Sequence, residues 1–179
     1  LLDALNYLAA ETANSSSVLY QMVDTTRLAT AGHSLGGSTA LSAASRDGRI
    51  KAVVALDPVY HAGGFSGEGE VVWDPTNEAP AITAATAVLG APADTCNAEA
   101  DYAEIYPLVG AAHKAQYHLV DASHCVFADP GSSSCSFTCG GTTDVTLTQL
   151  SRKLMTAWFN YYLQGNTEFY SHLFGDLLA

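Results

Sequence analysis

The sequence predicts an α/β fold in which a parallel sheet is flanked by helices on both faces. Four apolar stretches alternate with helical patterns, and the middle two are nearly continuous apolar runs, as in strands buried on both faces of a parallel sheet. The chain has 179 residues, of which 48% are hydrophobic, so it supports one globular domain over residues 1–179. The predicted strands are residues 27–33, 50–57, 81–91 and 115–121.

Helical spacing of apolar residues predicts four helices around these strands. Leu1, Leu2, Leu5 and Leu8 recur at helical intervals, so the chain opens on a helix that ends near residues 13–17. In the last helix, Trp158 and its neighbouring tyrosines are expected to pack in the core, and Gly165 stands where a helix commonly ends. The other predicted helices are residues 37–45, 99–110 and 145–163.

Composition and charge argue against two classes of partner. The net charge is −11, from 18 acidic and 7 basic residues, and no basic cluster is present to follow a phosphate backbone. We therefore expect no nucleic-acid partner. No apolar run reaches the roughly 18 residues that a membrane span needs, so no membrane-spanning segment is expected.

Four cysteines, all in the second half of the chain, predict two disulfides. The residues are Cys96, Cys125, Cys135 and Cys139, and three pairings are possible. A zinc site is the alternative, but the sequence has no C-x-x-C pair, so we expect no metal. Disulfides are typical of oxidising compartments, which predicts a secreted protein.

The stretch LATAGHSLGGSTA carries the pattern G-x-S-x-G around Ser34. In this pattern the serine lies on a strained turn between a strand and a helix, and glycines two residues before and after relieve the crowding. We expect Gly36 and Gly37 to let the helix pack closely on the sheet. Ser34 is the predicted nucleophile, and the backbone N–H of Leu35 is the predicted first donor of an oxyanion hole.

A serine nucleophile needs a histidine as base and a carboxylate that orients the histidine. His124 follows the fourth strand, at the sheet edge where such sites form, and is the predicted base. His33 is expected to pack beneath the turn. Asp57 and Asp94 each follow a predicted strand, and either one gives the chain order Ser, Asp, His, so both remain candidates for the acid.

The segments GHSLGGSTA, IKAVVALDPV and ASHC resemble the α/β-hydrolase superfamily. Within it they are similar to chlorophyllase-like and platelet-activating-factor acetylhydrolase-like esterases, and to bacterial polyester hydrolases of the cutinase type. The resemblance implies a cofactor-independent serine esterase that acts on apolar acyl or polyester-like substrates. In the first two groups the acid follows the next strand after the serine turn, which corresponds to Asp57, and in the cutinase type it corresponds to Asp94. The segment ALDPV favours Asp57. A noncatalytic binding module of the same fold is the alternative function.

The same resemblance implies further strands before the serine turn, but only 26 residues precede Arg27. We therefore expect the chain to be the C-terminal part of the usual fold, with a second copy or another chain completing the sheet and the oxyanion hole. The glycine-rich segment 60–80 is long for a loop, and with Phe65 and Trp73 it is a candidate lid over the substrate.

Overall fold

The computed structural model describes residues 1–60, 73–129 and 133–175, and within them the chain forms one parallel sheet of four strands. The strands lie in the order β1-β2-β3-β4, so each strand is a neighbour of the next one along the chain. This confirms the predicted fold class. The strands are β1 (Leu28–His33), β2 (Ile50–Leu56), β3 (Ala85–Gly90) and β4 (Lys114–His118).

Seven α-helices surround the sheet in the described residues. The predicted helices are all present, with ends shifted by one to a few residues. Three short helices, at residues 75–78, 133–139 and 170–174, were not predicted. The helices are α1 (Leu2–Ala13), α2 (Leu35–Arg46), α3 (Pro75–Glu78), α4 (Asp101–Leu108), α5 (Ser133–Cys139), α6 (Val145–Gln164) and α7 (Tyr170–Phe174).

The third strand begins four residues later than predicted. Residues Ala79–Ala81 form a 3₁₀ turn instead, and Ile82 and Ala84 are buried in the loop that follows. The apolar residues Ile82 and Ala84 therefore reflect burial in the core and not an extended strand. The periodicity of a short apolar run does not distinguish these cases.

Both faces of the sheet carry apolar cores, as the continuous apolar strands predict. On one face, Val53 and Ala55 pack with α2 residues and with Trp73. On the other face, Val54 and Leu89 pack with Trp158 of α6, which is fully buried and donates a hydrogen bond from Nε1 to the Ala85 carbonyl over 3.1 Å. The predicted core role of Trp158 is confirmed.

The candidate lid falls mostly outside the described residues, which exclude 61–72. Trp73, which belongs to that segment and is described, is 1% exposed and lies in the core. No helix among the described residues is long and apolar enough to cross a bilayer.

The parallel register aligns the carboxyl ends of β1, β2 and β3. His33 pairs with Leu56, and Leu56 pairs with Leu89. The residues that follow β1 and β2 extend this ladder, because Ser34 N–H donates to the Leu56 carbonyl over 3.0 Å and Asp57 N–H donates to the Leu89 carbonyl over 2.7 Å. The register therefore places Ser34 and Asp57 at the same edge of the sheet.

Candidate active site

Ser34 lies in a tight turn between β1 and α2. Its φ of 61° and ψ of −128° are unfavourable for a residue with a side chain. Its carbonyl oxygen accepts hydrogen bonds from Gly37 N–H at 2.9 Å and from Val59 N–H at 3.2 Å, so the turn is tied both to α2 and to the segment after β2. Leu35 begins α2, where the backbone N–H groups of the first turn lack intrahelical acceptors.

The glycines around Ser34 differ in what they allow. A Cβ atom at Gly32 would collide with the carbonyl group of Gly36, and one at Gly37 would lie 3.1 Å from Pro58. A Cβ atom at Gly36 would meet no heavy atom within 4 Å. The expectation that Gly36 is needed for close packing is therefore wrong, whereas Gly32 and Gly37 are needed because backbone approaches them closely.

Asp57 follows β2, is fully buried, and also has a positive φ, of 42°. One carboxylate oxygen, Oδ2, lies 2.6 Å from Nδ1 of His124. The other oxygen, Oδ1, accepts hydrogen bonds from the backbone N–H of Ala91 at 3.2 Å and from the side-chain amide of Asn97 at 3.1 Å. Its acceptors are therefore satisfied inside the protein, as a buried carboxylate requires.

His124 begins a 3₁₀ turn, His124–Phe127, after β4, and it is 3% exposed. The carboxylate of Asp94 accepts the backbone N–H of His124 at 2.8 Å through Oδ2. Its Oδ1 accepts the N–H groups of Cys96 at 2.9 Å and Asn97 at 3.1 Å. Of the two candidate acids, Asp57 thus contacts the imidazole ring, whereas Asp94 binds main-chain groups.

His33, at the end of β1, packs against the ring of His124. The two ring centroids are 4.4 Å apart, and the Phe127 ring lies 6.0 Å from His33 on the same side of the fold. Burial, and after it the proximity of His124, lowers the pKa of His33 to about 4. At neutral pH His33 is therefore an uncharged ring beside His124, a contact for which the sequence carried no signal.

Two disulfides connect α5 to the loops around His124 and Asp94. Cys96 is bonded to Cys139, and Cys125 is bonded to Cys135. The prediction of two disulfides is confirmed, and the structure selects one of the three pairings. The sulfurs of Cys125, Cys135 and Cys139 lie within 4.8 Å of one another, but all are bonded in disulfides and none is free to serve as a thiolate ligand.

The other histidines of the described residues lie elsewhere. His118 bonds to the hydroxyl of Tyr102 through Nδ1 at 2.5 Å, and His113 packs against Tyr162. His172 belongs to α7, and His61 lies outside the described residues. Among the described histidines, His124 is the one whose ring contacts a buried carboxylate.

The parallel sheet, with helices on both faces and a strained serine turn after its first strand, has the arrangement of an α/β-hydrolase-type protein. A family model described as PET hydrolase-like matches residues 1–175. The chain therefore belongs to the PET hydrolase-like family, which confirms the resemblance to polyester hydrolases. No curated protein matches the chain.

Proposed function

We propose that this protein is a serine carboxylic-ester hydrolase that cleaves polyester-like or apolar acyl esters through an acyl-enzyme. The observation that carries the proposal is the 2.6 Å contact between Asp57 Oδ2 and His124 Nδ1, in a chain of the PET hydrolase-like family. Both side chains are buried at the sheet edge where the Ser34 turn lies.

In this proposal Ser34 Oγ attacks the ester carbonyl while Nε2 of His124 takes its proton. Asp57 accepts a hydrogen bond from the Nδ1–H of His124, which fixes the tautomer that leaves Nε2 free as a base and stabilises the imidazolium that forms. The backbone N–H of Leu35 donates to the oxyanion of the tetrahedral intermediate. His124 then gives this proton to the leaving alcohol as its C–O bond breaks, which leaves the acyl group on Ser34. His124 next takes a proton from water, which attacks the acyl-serine; the bond to Ser34 Oγ breaks, the acid is released and His124 returns the proton to Ser34.

His33 supports this mechanism by being uncharged at neutral pH. A cation 4.4 Å from His124 would oppose formation of the imidazolium, whereas a neutral ring permits it. The mechanism uses no cofactor. The two disulfides support the proposal that the protein works outside the reducing cytosol.

The first test is hydrolysis of p-nitrophenyl butyrate and of an amorphous poly(ethylene terephthalate) film by the protein and its Ser34→Ala variant. Ser42→Ala is the matched control, because Ser42 lies on α2, the helix that follows Ser34, and its hydroxyl contacts Glu78. Reaction with a fluorophosphonate, followed by peptide mass mapping, reports whether Ser34 is activated.

We expect Ser34-dependent turnover, a fluorophosphonate adduct on Ser34, and wild-type behaviour of Ser42→Ala. Folded protein that neither turns over these esters nor reacts with the probe would overturn the proposal, as would a Ser34→Ala variant as active as the parent. Turnover of the soluble ester without release of products from the film would remove the polyester part and leave the esterase.

A further inference from the structure

The carboxylate of Asp57 has two oxygens with different partners, and Asn97 contacts the one that His124 does not. Asn97 Nδ2 donates to Asp57 Oδ1 at 3.1 Å, beside the backbone N–H of Ala91 at 3.2 Å. Asn97 is 3% exposed and Asp57 is fully buried, so water does not compete for this contact. The carboxylate cannot rotate away from His124 without giving up these two donors.

The orientation of the Asn97 amide is determined by a second contact. Its Oδ1 accepts the backbone N–H of Asp101 at 3.0 Å, which only an oxygen can do. The NH₂ group must therefore face Asp57, and it also approaches the Pro58 carbonyl at 3.4 Å. Asn97 is thus a fixed donor, with one end of its amide tied to α4 and the other to the candidate acid.

The loop that carries Asn97 also holds His124. Asp94 accepts the backbone N–H groups of Asn97 and His124 with its two carboxylate oxygens. The Cys96–Cys139 disulfide anchors the same loop. One short segment therefore contacts both proposed partners of Ser34: the Asn97 side chain contacts Asp57, and the Asp94 side chain contacts the main chain of His124.

We propose that Asn97 is a positioning residue that holds the Asp57 carboxylate in the orientation in which Oδ2 faces His124. The inference rests on the proposed function, because Asn97 acts only through Asp57. A neutral amide suits the task, since it donates a hydrogen bond to the carboxylate without placing a cation that would compete with the imidazolium. The loop from Asp94 to Asp101 is then part of the catalytic apparatus, although none of its side chains touches the substrate in this mechanism.

The test compares Asn97→Ala with Asn97→Asp in steady-state hydrolysis of p-nitrophenyl butyrate. Asn97→Ala removes the donor, and we expect kcat to fall on the order of 10- to 100-fold, with KM changed little, as for loss of a hydrogen bond to a charged group. Asn97→Asp keeps the shape and the acceptor for Asp101 N–H but sets a carboxylate against Asp57. Because aspartate has the same shape as asparagine, Asn97→Asp provides the test even if Asn97→Ala does not fold. We expect kcat to fall further in Asn97→Asp than in Asn97→Ala.

Two controls separate positioning from general stability. Asn77→Ala removes an amide that donates to Asp74 at 2.5 Å, a matched pair on the exposed surface of α3. Thr86→Val removes a buried hydroxyl that donates to the Ala84 carbonyl at 2.8 Å, at the opposite end of β3. Both are expected to leave kcat within about twofold of the parent, even where the melting temperature falls.

The decisive readout is the same substitution in an Asp57→Asn background. If Asn97 acts through the Asp57 carboxylate, Asn97→Ala adds little further loss there, since interacting residues are not additive. An equal further loss in that background would overturn the proposal, and so would a kcat of Asn97→Asp close to that of the parent. Failure of the proposed function would show differently, as turnover that survives Ser34→Ala.

Discussion

The substitution Asp57→Asn tests the candidate acid most directly, and the structure predicts how it fails. Oδ1 of Asp57 accepts two donors, Ala91 N–H and the Asn97 amide, so the oxygen of a new asparagine amide would take that place. Its NH₂ group would then face Nδ1 of His124 over the present 2.6 Å. Nδ1 would have to become the acceptor, and the ring proton would move to Nε2, where it prevents His124 from accepting the Ser34 proton. We expect kcat to fall by about 10⁴, the loss known for the wrong tautomer in a serine triad.

Asp94→Asn is the matched comparison, because Asp94 is the other acid that the sequence allowed. Its oxygens accept the backbone N–H groups of His124 on one side and of Cys96 and Asn97 on the other. An amide keeps one side and leaves the other without an acceptor, at a cost of about 1–3 kcal/mol. Even if that whole cost appeared in the transition state, kcat would fall by no more than about 100-fold.

The assay is kcat for p-nitrophenyl butyrate, with the fluorophosphonate labelling rate as a readout that does not depend on substrate binding. Thermal unfolding of each variant shows whether a low rate reflects an unfolded chain. A gap of about two orders of magnitude between Asp57→Asn and Asp94→Asn is expected from the two bounds. The reasoning fails if the variants lose activity equally, or if folded Asp57→Asn keeps more than a tenth of the parent rate.

Three further predictions concern the surroundings of the site. Gly32→Ala should lower the free energy of unfolding by about 3 kcal/mol or more, because its Cβ would collide with the Gly36 carbonyl. Gly36→Ala should be neutral or stabilising by up to about 1 kcal/mol, because its Cβ would meet no heavy atom within 4 Å. Urea unfolding of the two variants measures the difference. Replacing Cys96 and Cys139 together by serine should lower the free energy of unfolding by about 4 kcal/mol, since the disulfide closes a loop with a sequence separation of 43. Equal stability of the parent protein under reducing and oxidising conditions would contradict this. The pKa of His33 is about 4 in the folded protein, against 6.5 for a free histidine, so the unfolded chain binds a proton first as the pH falls. The stability that His33 contributes above pH 6.5 is therefore lost as the pH falls toward 4. The free energy of unfolding measured across that window should decline less steeply for His33→Phe than for the parent, and parallel curves would refute the assignment.

Strands β2 and β3 could be predicted from the sequence because they are largely apolar and buried, but the exact ends of the strands could not. Ile82 and Ala84 are as apolar and as buried as the strand they precede, although they lie in a loop. Helix α5 lies in a glycine- and serine-rich stretch with little helical signal, and both of its cysteines are bonded to loops near the site. Helix α5 was therefore not predicted, because its cysteines form disulfides whose pairing could not be deduced from the sequence.

As with the fold, one part of the candidate site could be predicted from the sequence and another part could not. Ser34 is predicted from its glycines, which are a local signal, and His124 is predicted from its place after a strand. The choice between Asp57 and Asp94 is a matter of which carboxylate reaches the imidazole ring, and both residues follow strands in the sequence. The structure favours Asp57, the position implied by the ALDPV segment and the chlorophyllase-like resemblance, although the family model that matches is PET hydrolase-like. Asn97 lies in no recognisable sequence motif, because the role proposed for it depends on tertiary contacts that the sequence does not reveal.

Backbone strain gives an independent reason to associate Ser34 with Asp57. Among the described residues, four other than glycine have a positive φ, and two of them are Ser34 and Asp57. Each follows the last residue of its strand, and each donates its N–H to a carbonyl at the carboxyl end of the neighbouring strand, Leu56 for Ser34 and Leu89 for Asp57. Such conformations cost on the order of 1–3 kcal/mol and persist where the surrounding structure enforces them. The two adjacent strands therefore end in the same way, in a strained residue whose polar side chain belongs to the proposed triad, and the parallel register that aligns these ends is what brings the nucleophile and the acid to one edge of the sheet.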